Sequence, residues 1–369
     1  MHITSVEVFG YSLTYVHGSY VMSGGRVVTS LLSTVVRICT DTGHEGWGEV
    51  CPLGPGYLPA FAEGARSALR ELAPQLLGLD PLNLAVVNAA MDSALRGHGY
   101  AKSAVDIACW DLLGKATGQP VSTLLGGRRQ ETYPLYIAVP LGTPEEMAVY
   151  VRARKGEGFR KFQLKVGDDP YTDARRVRAV VDATGDGDIV IADANGGWTL
   201  QNAVVAARLL EVLPRVYLEQ PCATLDECLY VRQRTTLPIV LDEVITDVHT
   251  LLQAFHGGGM EAINLKISKV GGLTRARQMR ELSESLGLRL TVEDTWGGDV
   301  TTAAISHLAC SVRPEALFTV SFMNDWAREH IAGYQPRSRE GIGVTPNGPG
   351  LGIDVESATL GPPLFQISN

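Results

Sequence analysis

The sequence lacks an excess of basic charge and lacks any long apolar run, and each absence excludes a class of protein. Lys and Arg number 32 against 40 Asp and Glu, so the chain has no surplus of positive charge for a nucleic-acid partner. No apolar run reaches the length needed to cross a membrane. The N-terminal segment also lacks the basic region and apolar core of a signal peptide. We therefore expect a cytoplasmic protein without nucleic-acid or membrane partners.

Cysteine is scarce, and its spacing excludes further possibilities. The 369 residues include six cysteines, none of them in a CxxC pair. In a chain of this length they indicate free, buried thiols in a reducing compartment. Hydrophobic residues make up 45% of the chain, which is too many for a disordered protein and enough for a large core. The length predicts about two domains.

Short apolar runs with strand character recur through the middle of the chain and alternate with stretches of helical periodicity. The predicted strands are 132–139, 161–166, 188–194, 216–220, 238–243, 262–267, 289–295 and 317–322. Strands that alternate with helices predict parallel pairing and right-handed crossovers. Eight such strands predict a TIM-type barrel, with the active site at the carboxyl ends of the strands.

Polar side chains end successive predicted strands, 23 to 28 residues apart, which is about one strand–helix unit. A single residue of this kind could simply cap the following helix. A full series in register instead predicts a ring of functional groups at one end of the barrel. The series is Lys165, Asp193, Glu219, Asp242, Lys266, Asp294 and Ser321.

Three carboxylates, those of Asp193, Glu219 and Asp242, end consecutive strands. Carboxylates that converge repel one another unless a cation neutralises them, and oxygen ligands without Cys or His favour Mg²⁺. The alternative is that one or two of them act as general acids. Asn195 and Glu243 lie beside these ligands and could orient them, although a helix cap or a loop hydrogen bond would explain both residues equally well.

Lys165 ends the second barrel strand and Lys266 the sixth, and these positions face each other across an eight-stranded ring. Burial beside a cation lowers the pKa of a lysine, which can then take a proton from carbon. The pair predicts Mg²⁺-assisted removal of the proton next to the carboxylate of a small-molecule substrate, with an enediolate intermediate. The alternatives are simple pairing of each lysine with a carboxylate, or a non-catalytic barrel that binds Mg²⁺ and a ligand. Lys161 and Lys269 are expected to be surface or structural residues.

Residues 1–125 do not follow the alternation and predict a separate α+β capping domain. Residues 28–50 resemble a hairpin with its turn at 41–43. The Gly- and Pro-rich tail, about 336–369, is expected to return and complete this domain, which leaves 126–335 for the barrel. Tyr57 and Ser23 lie in flexible loops of the capping domain that could close over the barrel mouth, and both are candidate substrate contacts.

The motifs FQLKVG, IADANGGW, LEQP, LDE and NLKISKVGG, in this order, resemble those of the enolase superfamily, muconate lactonizing enzyme type. The segment 101–127 resembles the family's helix that leads into the barrel, so the match covers nearly the whole chain. The resemblance implies a modified (β/α)7β barrel with an α+β cap, and Mg²⁺ bound by Asp193, Glu219 and Asp242. It also implies that Lys165 and Lys266 form an acid/base pair. Members of the family are often homo-oligomers, which we expect here.

Two departures from the family pattern bear on the chemistry. Gln163 stands where a first lysine often depresses the pKa of the second, so Lys165 must rely on the metal and on desolvation. Gln163 is also a candidate substrate contact. The seventh strand ends in Glu293-Asp294 and not in a histidine, which argues against a histidine base and makes Asp294 another candidate contact.

Finer motifs resemble the branch of the family that acts on proline-derived substrates. These are CPLGPGYLP, GHGYAKSAVD, LEQPCATLDE and DTWGGD. The branch implies dehydration of cis-3-hydroxy-L-proline to Δ1-pyrroline-2-carboxylate, or 2-epimerisation of proline betaine or 4-hydroxyproline betaine. A quaternary ammonium is best held by an aromatic face. At the end of strand eight the sequence has Ser321 where the epimerases have a tryptophan, and Asn324, Asp325 and Trp326 follow. A shift of the alignment would bring Trp326 to the site. Asp325 could instead pair with a secondary ammonium, which favours the dehydratase.

Overall fold

The computed structural model describes residues 1–368. Its strands are β1 (Ile3–Thr14), β2 (Tyr20–Val21), β3 (Val27–Val28), β4 (Ser30–Thr40), β5 (Glu45–Val50), β6 (Thr132–Pro134), β7 (Tyr136–Val139), β8 (Lys161–Lys165), β9 (Ile189–Asp193), β10 (Val216–Glu219), β11 (Ile239–Leu241), β12 (Ala262–Lys266), β13 (Arg289–Glu293), β14 (Leu317–Val320), β15 (Ile342–Val344) and β16 (Phe365–Ser368).

The helices surround these strands or pack on the N-terminal sheet. They are α1 (Ala62–Leu76), α2 (Leu84–Ala94), α3 (Gly99–Thr117), α4 (Val121–Leu124), α5 (Pro144–Gly156), α6 (Pro170–Ala183), α7 (Leu200–Leu210), α8 (Leu225–Arg232), α9 (Val248–His256), α10 (Ile267–Val270), α11 (Leu273–Ser285), α12 (Asp299–Cys310) and α13 (Ser357–Leu360). Single 3₁₀ turns occur at Ser23–Gly25 and Met323–Trp326. Within residues 1–368, no helix is both long enough and apolar enough to cross a bilayer.

Strands β7 to β14 form the barrel, and each pairs in parallel with the next along the chain. A bridge between Leu135 and Val320 joins the first strand to the last. Seven crossover helices, α5 to α9, α11 and α12, connect the eight strands, and the short α10 is inserted before α11. The predicted (β/α)7β barrel is therefore confirmed.

Local sequence signals start several of the barrel helices. Thr143 and Thr224 each accept a hydrogen bond from the backbone of a glutamate three residues later, and that glutamate's carboxylate bonds back to the threonine N–H. Such reciprocal caps satisfy two of the backbone donors that a helix start leaves free. Each cap lies just past a strand end, so it fixes where the chain turns away from the barrel mouth.

The N-terminal segment and the tail form a four-stranded antiparallel sheet in the order β16-β1-β4-β5, with α1 and α3 packed on it and α2 packed on these two helices. The predicted hairpin of residues 28–50 is present as β4 and β5. The tail returns through β16, which pairs with β1, while β15 pairs with β6 beside the barrel. This confirms the predicted α+β cap with its contribution from the tail. The boundaries near 125 and 336 stay predictions.

A buried carboxylate joins the cap to the barrel. Glu49 on β5 accepts hydrogen bonds from Gly298 N at 3.0 Å and Thr301 N at 2.9 Å, where α12 begins. Tyr11 and Ser33 of the cap sheet donate to the same side chain at 2.6 and 2.7 Å. A carboxylate at a helix N-terminus is favoured by the helix dipole. The contact fixes the cap against the segment that follows β13.

Candidate active site

Strand register places the predicted residues side by side at the carboxyl end of the barrel. Lys165 lies beside Asp193 in the β8–β9 pair, and Asp193 beside Glu219 in the β9–β10 pair. Asp242 follows β11 directly, and Lys266 ends β12. All five residues are buried, with exposures between 0 and 6%. The fold thus brings these five members of the predicted series to one end of the barrel.

On one side of the barrel, Lys165 is held by two acceptors. Its Nζ donates to Asp193 Oδ2 and to Gln163 Oε1, the latter at 3.1 Å. The Gln163 amide in turn donates to both carboxylate oxygens of Glu219, at 3.0 and 3.1 Å. Because its NH₂ group is committed to Glu219, its oxygen must face Lys165. Gln163 therefore bridges a lysine and a carboxylate without adding charge.

On the opposite side, four strands away, Lys266 has a different set of partners. Its Nζ donates to Asp242 Oδ2 and to the Tyr57 hydroxyl, both at 2.5 Å, and lies 3.6 Å from Glu293 Oε1. Lys269 also donates to Asp242, at 2.8 Å, with a side chain only 3% exposed. Of the two expected possibilities for Lys269, the surface position is wrong. It lies one turn of α10 beyond Lys266, which turns both side chains towards one carboxylate.

The electrostatics reflect crowded, buried carboxylates. Burial, then Asp193 and Asp242, raise the pKa of Glu219 well above its usual range. Although burial opposes it, the Lys266 and Lys269 ammonium groups lower the pKa of Asp242. Burial alone would lower the pKa of Lys165 and of Lys266, but the neighbouring carboxylates raise the pKa of both lysines. At both lysines negative charge therefore outweighs desolvation, and the lowering of the pKa expected beside a bound cation stays a prediction.

The donor set suits a hard cation. Asp193, Glu219 and Asp242 offer only oxygen, as Mg²⁺ prefers. Two further buried oxygens nearby, Asn195 Oδ1 and Glu243 Oε2, have no hydrogen-bond donor, although Asn195 Nδ2 bonds both Asp193 and Glu243. In the described part of the chain no three acidic, Cys or His side chains converge tightly enough to form a metal cluster. The carboxylates are held instead by lysines and side-chain amides.

A small cavity lies between the two lysines. It is lined by Tyr20, Met22, Leu53, Tyr57, Tyr136, Gln163, Lys165, Lys266, Glu293, Asp294, Thr295, Trp296, Met323 and Trp326. Four of these form an aromatic wall, which we define as Tyr20, Tyr136, Trp296 and Trp326. Their ring centroids lie 5.4 to 6.1 Å apart in tilted or edge-to-face contacts. The cavity therefore combines charged groups on two sides with an apolar third side.

Three predicted substrate contacts, Tyr57, Gln163 and Asp294, line this cavity. The Asp294 carboxylate accepts from Ser268 N at 2.9 Å and from Thr295 N at 2.7 Å, and burial raises the pKa of Asp294 to about 6. Its geometry is thus fixed by the backbone, and it lines the same cavity as Lys266. Their roles towards a substrate stay predictions.

Four other residues predicted to contact the substrate do not line this cavity, and their roles towards a substrate stay predictions. Ser23 Oγ donates to Ala194 O at 3.2 Å and Ser321 Oγ lies against the Met323 sulfur. Asn324 donates to Asp299 at 2.9 Å, while Asp325 accepts from Tyr334 at 3.1 Å. The reason at the end of β14 is the 3₁₀ turn Met323–Trp326. Residues three apart share a face of such a turn, so the first and last residues face the cavity and the two between them turn away.

Sequence reasoning missed Tyr20, Tyr136 and Trp296, and named Glu293 only as part of a strand end. Glu293 accepts from Tyr136 OH and from Asn264 Nδ2, the latter at 3.1 Å. The sequence signal for Glu293 was its position at the end of a predicted strand, and the β12–β13 pairing places it beside Lys266. The aromatic residues come from segments far apart in sequence, and nothing in their spacing indicates that they meet.

Comparison with known proteins gives the family. The mandelate racemase/muconate lactonizing enzyme N-terminal domain matches residues 11–126, and the enolase C-terminal domain-like family matches residues 146–359. The chain is 48% identical to a cis-3-hydroxy-L-proline dehydratase of Roseibium aggregatum over 100% of both chains. It is 28% identical to an N-succinyl-L-Arg/Lys racemase of Bacillus cereus, over 98% of this chain and 97% of the racemase.

Solved structures agree with these matches. A mandelate racemase/muconate lactonizing enzyme from Roseovarius nubinhibens superposes with a TM-score of 0.96 at 37% identity, over 100% of this chain and 99% of that one. A further such protein from the same organism, complexed with magnesium, has a TM-score of 0.94 at 35% identity over 100% of both chains. This protein is therefore an enzyme of the mandelate racemase/muconate lactonizing enzyme group of the enolase superfamily.

Proposed function

We propose that the enzyme dehydrates cis-3-hydroxy-L-proline to Δ1-pyrroline-2-carboxylate and requires Mg²⁺. The observation that carries the proposal is the 48% identity, along the whole chain, with the dehydratase of Roseibium aggregatum. The site supports it, since two buried lysines flank a cavity that carries further carboxylates and an aromatic wall.

Asp193, Glu219 and Asp242 would hold the metal, and the donor-free oxygens of Asn195 and Glu243 lie beside them. A bound Mg²⁺ would supply positive charge to the substrate carboxylate as the α-proton leaves. The carboxylates also hold both lysines in place, through Asp193 on one side and Asp242 on the other.

The stereochemistry of the substrate matches two bases on opposite sides. In cis-3-hydroxy-L-proline the hydroxyl and the carboxylate share one face of the ring, so the α-proton and the hydroxyl lie on opposite faces. Lys165 on β8 and Lys266 on β12 are four strands apart in an eight-stranded barrel, and therefore face each other. One neutral lysine takes the α-proton, and the ammonium of the other gives a proton to the departing hydroxyl. The C3–O bond breaks as the C2–C3 double bond forms, and water leaves.

The product of elimination is a cyclic enamine, which becomes the Δ1 imine by losing its N–H proton and gaining a proton at C3. In the substrate the ring nitrogen is a secondary ammonium with two N–H donors. Glu293 and Asp294 are the two carboxylates among the residues that line the cavity. We therefore expect them, and not Asp325, to accept hydrogen bonds from this ammonium. The ring carbons face the aromatic wall.

The aromatic wall also favours a second candidate reaction, the 2-epimerisation of proline betaine or 4-hydroxyproline betaine. A quaternary ammonium has no N–H to donate and binds best against aromatic faces. Trp326 lines the cavity although it lies five residues beyond Ser321, the position where the sequence indicated no tryptophan. In this reaction one lysine removes the α-proton and the other returns a proton to the opposite face. A betaine cannot lose water from C3, so the two reactions are distinguishable by product.

The test compares the cis and trans isomers of 3-hydroxy-L-proline with the purified enzyme, with Mg²⁺ and with EDTA. We expect water loss from the cis isomer only, because in the trans isomer the α-proton and hydroxyl share one face. EDTA should stop the reaction and added Mg²⁺ should restore it. Equal elimination from both isomers would contradict the two-lysine arrangement, and turnover unaffected by EDTA would contradict the metal. Binding of the cis isomer without any turnover would favour a non-catalytic barrel.

A further inference from the structure

Each catalytic lysine lies beside a tyrosine that comes from the capping domain, Lys266 at the hydroxyl of Tyr57 and Lys165 near the ring of Tyr20. Lys266 Nζ is 4.9 Å from the centroid of the Tyr57 ring, and Lys165 Nζ is 5.9 Å from that of Tyr20. The two tyrosines belong to separate segments: Tyr57 follows β5, and Tyr20 begins β2. The sequence and the family resemblance pointed to Tyr57 only.

Tyr20 is firmly held at this place. Its side chain is buried, and its ring packs edge-on against Tyr15 and Trp296, each with a centroid distance of 5.5 Å. The strand that carries it is tied to the barrel, because Leu141 N, just after β7, donates to Val21 O at 2.9 Å. With these neighbours on both sides, the Tyr20 ring cannot turn away from Lys165 without repacking the wall.

The contacts of Lys165 leave one direction free. An ammonium has three N–H bonds, and here two are taken by Asp193 and Gln163. The third position on Nζ, which carries an N–H or a lone pair, is free to exchange a proton with a substrate in the cavity that Lys165 lines. The Tyr20 ring covers Nζ next to this position. An aromatic face attracts a nearby ammonium and excludes water from it.

We propose that Tyr20 is the positioning residue for Lys165 through its ring, while Tyr57 contacts Lys266 through its hydroxyl. The Tyr20 ring holds Nζ towards one face of the substrate, so the loss of Tyr20 impairs proton transfer on that face more than on the other. The inference rests on the proposed function, in which the two lysines serve opposite faces.

The test is α-proton exchange in D2O with L-proline and D-proline, which have no leaving group and present their α-protons to opposite sides. The variants Lys165→Ala and Lys266→Ala first show which enantiomer of proline (antipode) loses its exchange when each lysine is removed. Tyr20→Leu should then lower the exchange rate of the Lys165 antipode, relative to that of the other antipode, by about 10-fold, while Tyr20→Phe, which keeps the ring, leaves this ratio unchanged. Tyr57→Leu should show the reverse preference. Tyr15→Leu is the matched control, since it removes an adjacent buried ring that does not line the cavity, and any effect should fall on both antipodes together.

A second measurement needs no turnover. The sequence holds only seven lysines, so protein labelled with ¹³C at the lysine ε-carbon gives a simple NMR spectrum. In the presence of Mg²⁺, the Lys165 signal should shift in Tyr20→Leu and keep its place in Tyr57→Leu, because ring currents act only on nearby nuclei. An unmoved Lys165 signal, or equal slowing of both antipodes in Tyr20→Leu, would overturn the inference. Absence of exchange in the wild-type enzyme would count against the proposed function, and the NMR shift would still decide whether the Tyr20 ring lies against Lys165.

Discussion

His307 makes the stability of the enzyme depend on pH in a way that the structure specifies. The side chain on α12 is fully buried and joins the barrel to the cap and the tail. Its Nδ1 accepts from Ser122 N at 3.1 Å and its Nε2 faces Leu351 O at 2.9 Å. A backbone N–H can only donate and a carbonyl can only accept, so these partners require the neutral Nε2–H form. Protonation at Nδ1 would break the first bond and bury a charge.

The size of the effect follows from the pKa. Burial lowers the pKa of His307 from 6.5 to about 4. Because the folded pKa lies below the unfolded one, the stabilisation is complete above pH 6.5 and is lost as the pH falls towards 4. A shift of this size corresponds to about 3 kcal/mol in total, of which about 2 kcal/mol is lost by pH 5.

The assay is chemical unfolding of the wild type and of His307→Gln at pH 7.5 and pH 5.0, both with EDTA. Gln can still donate to Leu351 O but does not titrate, and it loses the bond from Ser122 at a cost of about 1 kcal/mol. We expect the free energy of unfolding of the wild type, relative to the variant, to fall by about 2 kcal/mol between the two pH values. Parallel behaviour of the two proteins across this range would refute the reasoning.

Four further changes have defined expected outcomes. Lys266→Ala should slow α-proton exchange on one face by about 100-fold or more, as measured by NMR in D2O, and normal exchange in both this variant and Lys165→Ala would contradict the two-base site. Glu219→Gln should weaken Mg²⁺ binding by at least about 10-fold in calorimetric titration, since it removes one ligand charge. Glu49→Ala should cost about 3 kcal/mol in chemical unfolding, because Gly298 N and Thr301 N lose their acceptor; an unchanged midpoint would exclude the cap contact. Asp325→Asn should leave the KM for cis-3-hydroxy-L-proline within about twofold, because Asp325 faces Tyr334; a large rise would show that it reaches the substrate.

The barrel and its ring of charged groups could be predicted because both depend on local signals. Each buried parallel strand is a short apolar run, and its carboxyl end is marked by a polar residue. The predicted strand 262–267, for example, corresponds to β12, Ala262–Lys266. Regular spacing then orders the strand ends around the ring. The positions of Lys165, Asp193 and Glu219 follow from this periodicity with no knowledge of tertiary packing.

The aromatic wall could not be predicted, because it depends on how distant segments pack. Tyr20, Trp296 and Trp326 are buried aromatic residues on different elements, and a sequence cannot distinguish them from ordinary core residues. The segment after strand eight is hard to predict for a more local reason. Asp325 was a candidate partner for the substrate ammonium, but the 3₁₀ turn places Trp326, and not Asp325, on the cavity lining. A single turn of this kind has no clear sequence signature.

The mixed outcome for Lys269 shows the same limit. Its position past a strand end is compatible with a solvent-facing residue, yet α10 begins directly at Lys266 and turns Lys269 back to Asp242. The insertion of a short helix between β12 and α11 departs from the plain strand–helix repeat. Where the chain follows that repeat, the sequence predicts the site well, and where it departs, packing decides.

The most direct test of the central claim is ¹H NMR of the wild-type enzyme with Mg²⁺ in D2O, with cis-3-hydroxy-L-proline in one sample and proline betaine in another. We predict that the hydroxyproline signals are replaced by those of the cyclic imine, with deuterium entering at C3 as the enamine tautomerises. Unchanged hydroxyproline together with deuterium at Cα of the betaine would contradict the dehydratase in favour of the epimerase. No change in either sample would contradict the removal of an α-proton from proline-type substrates.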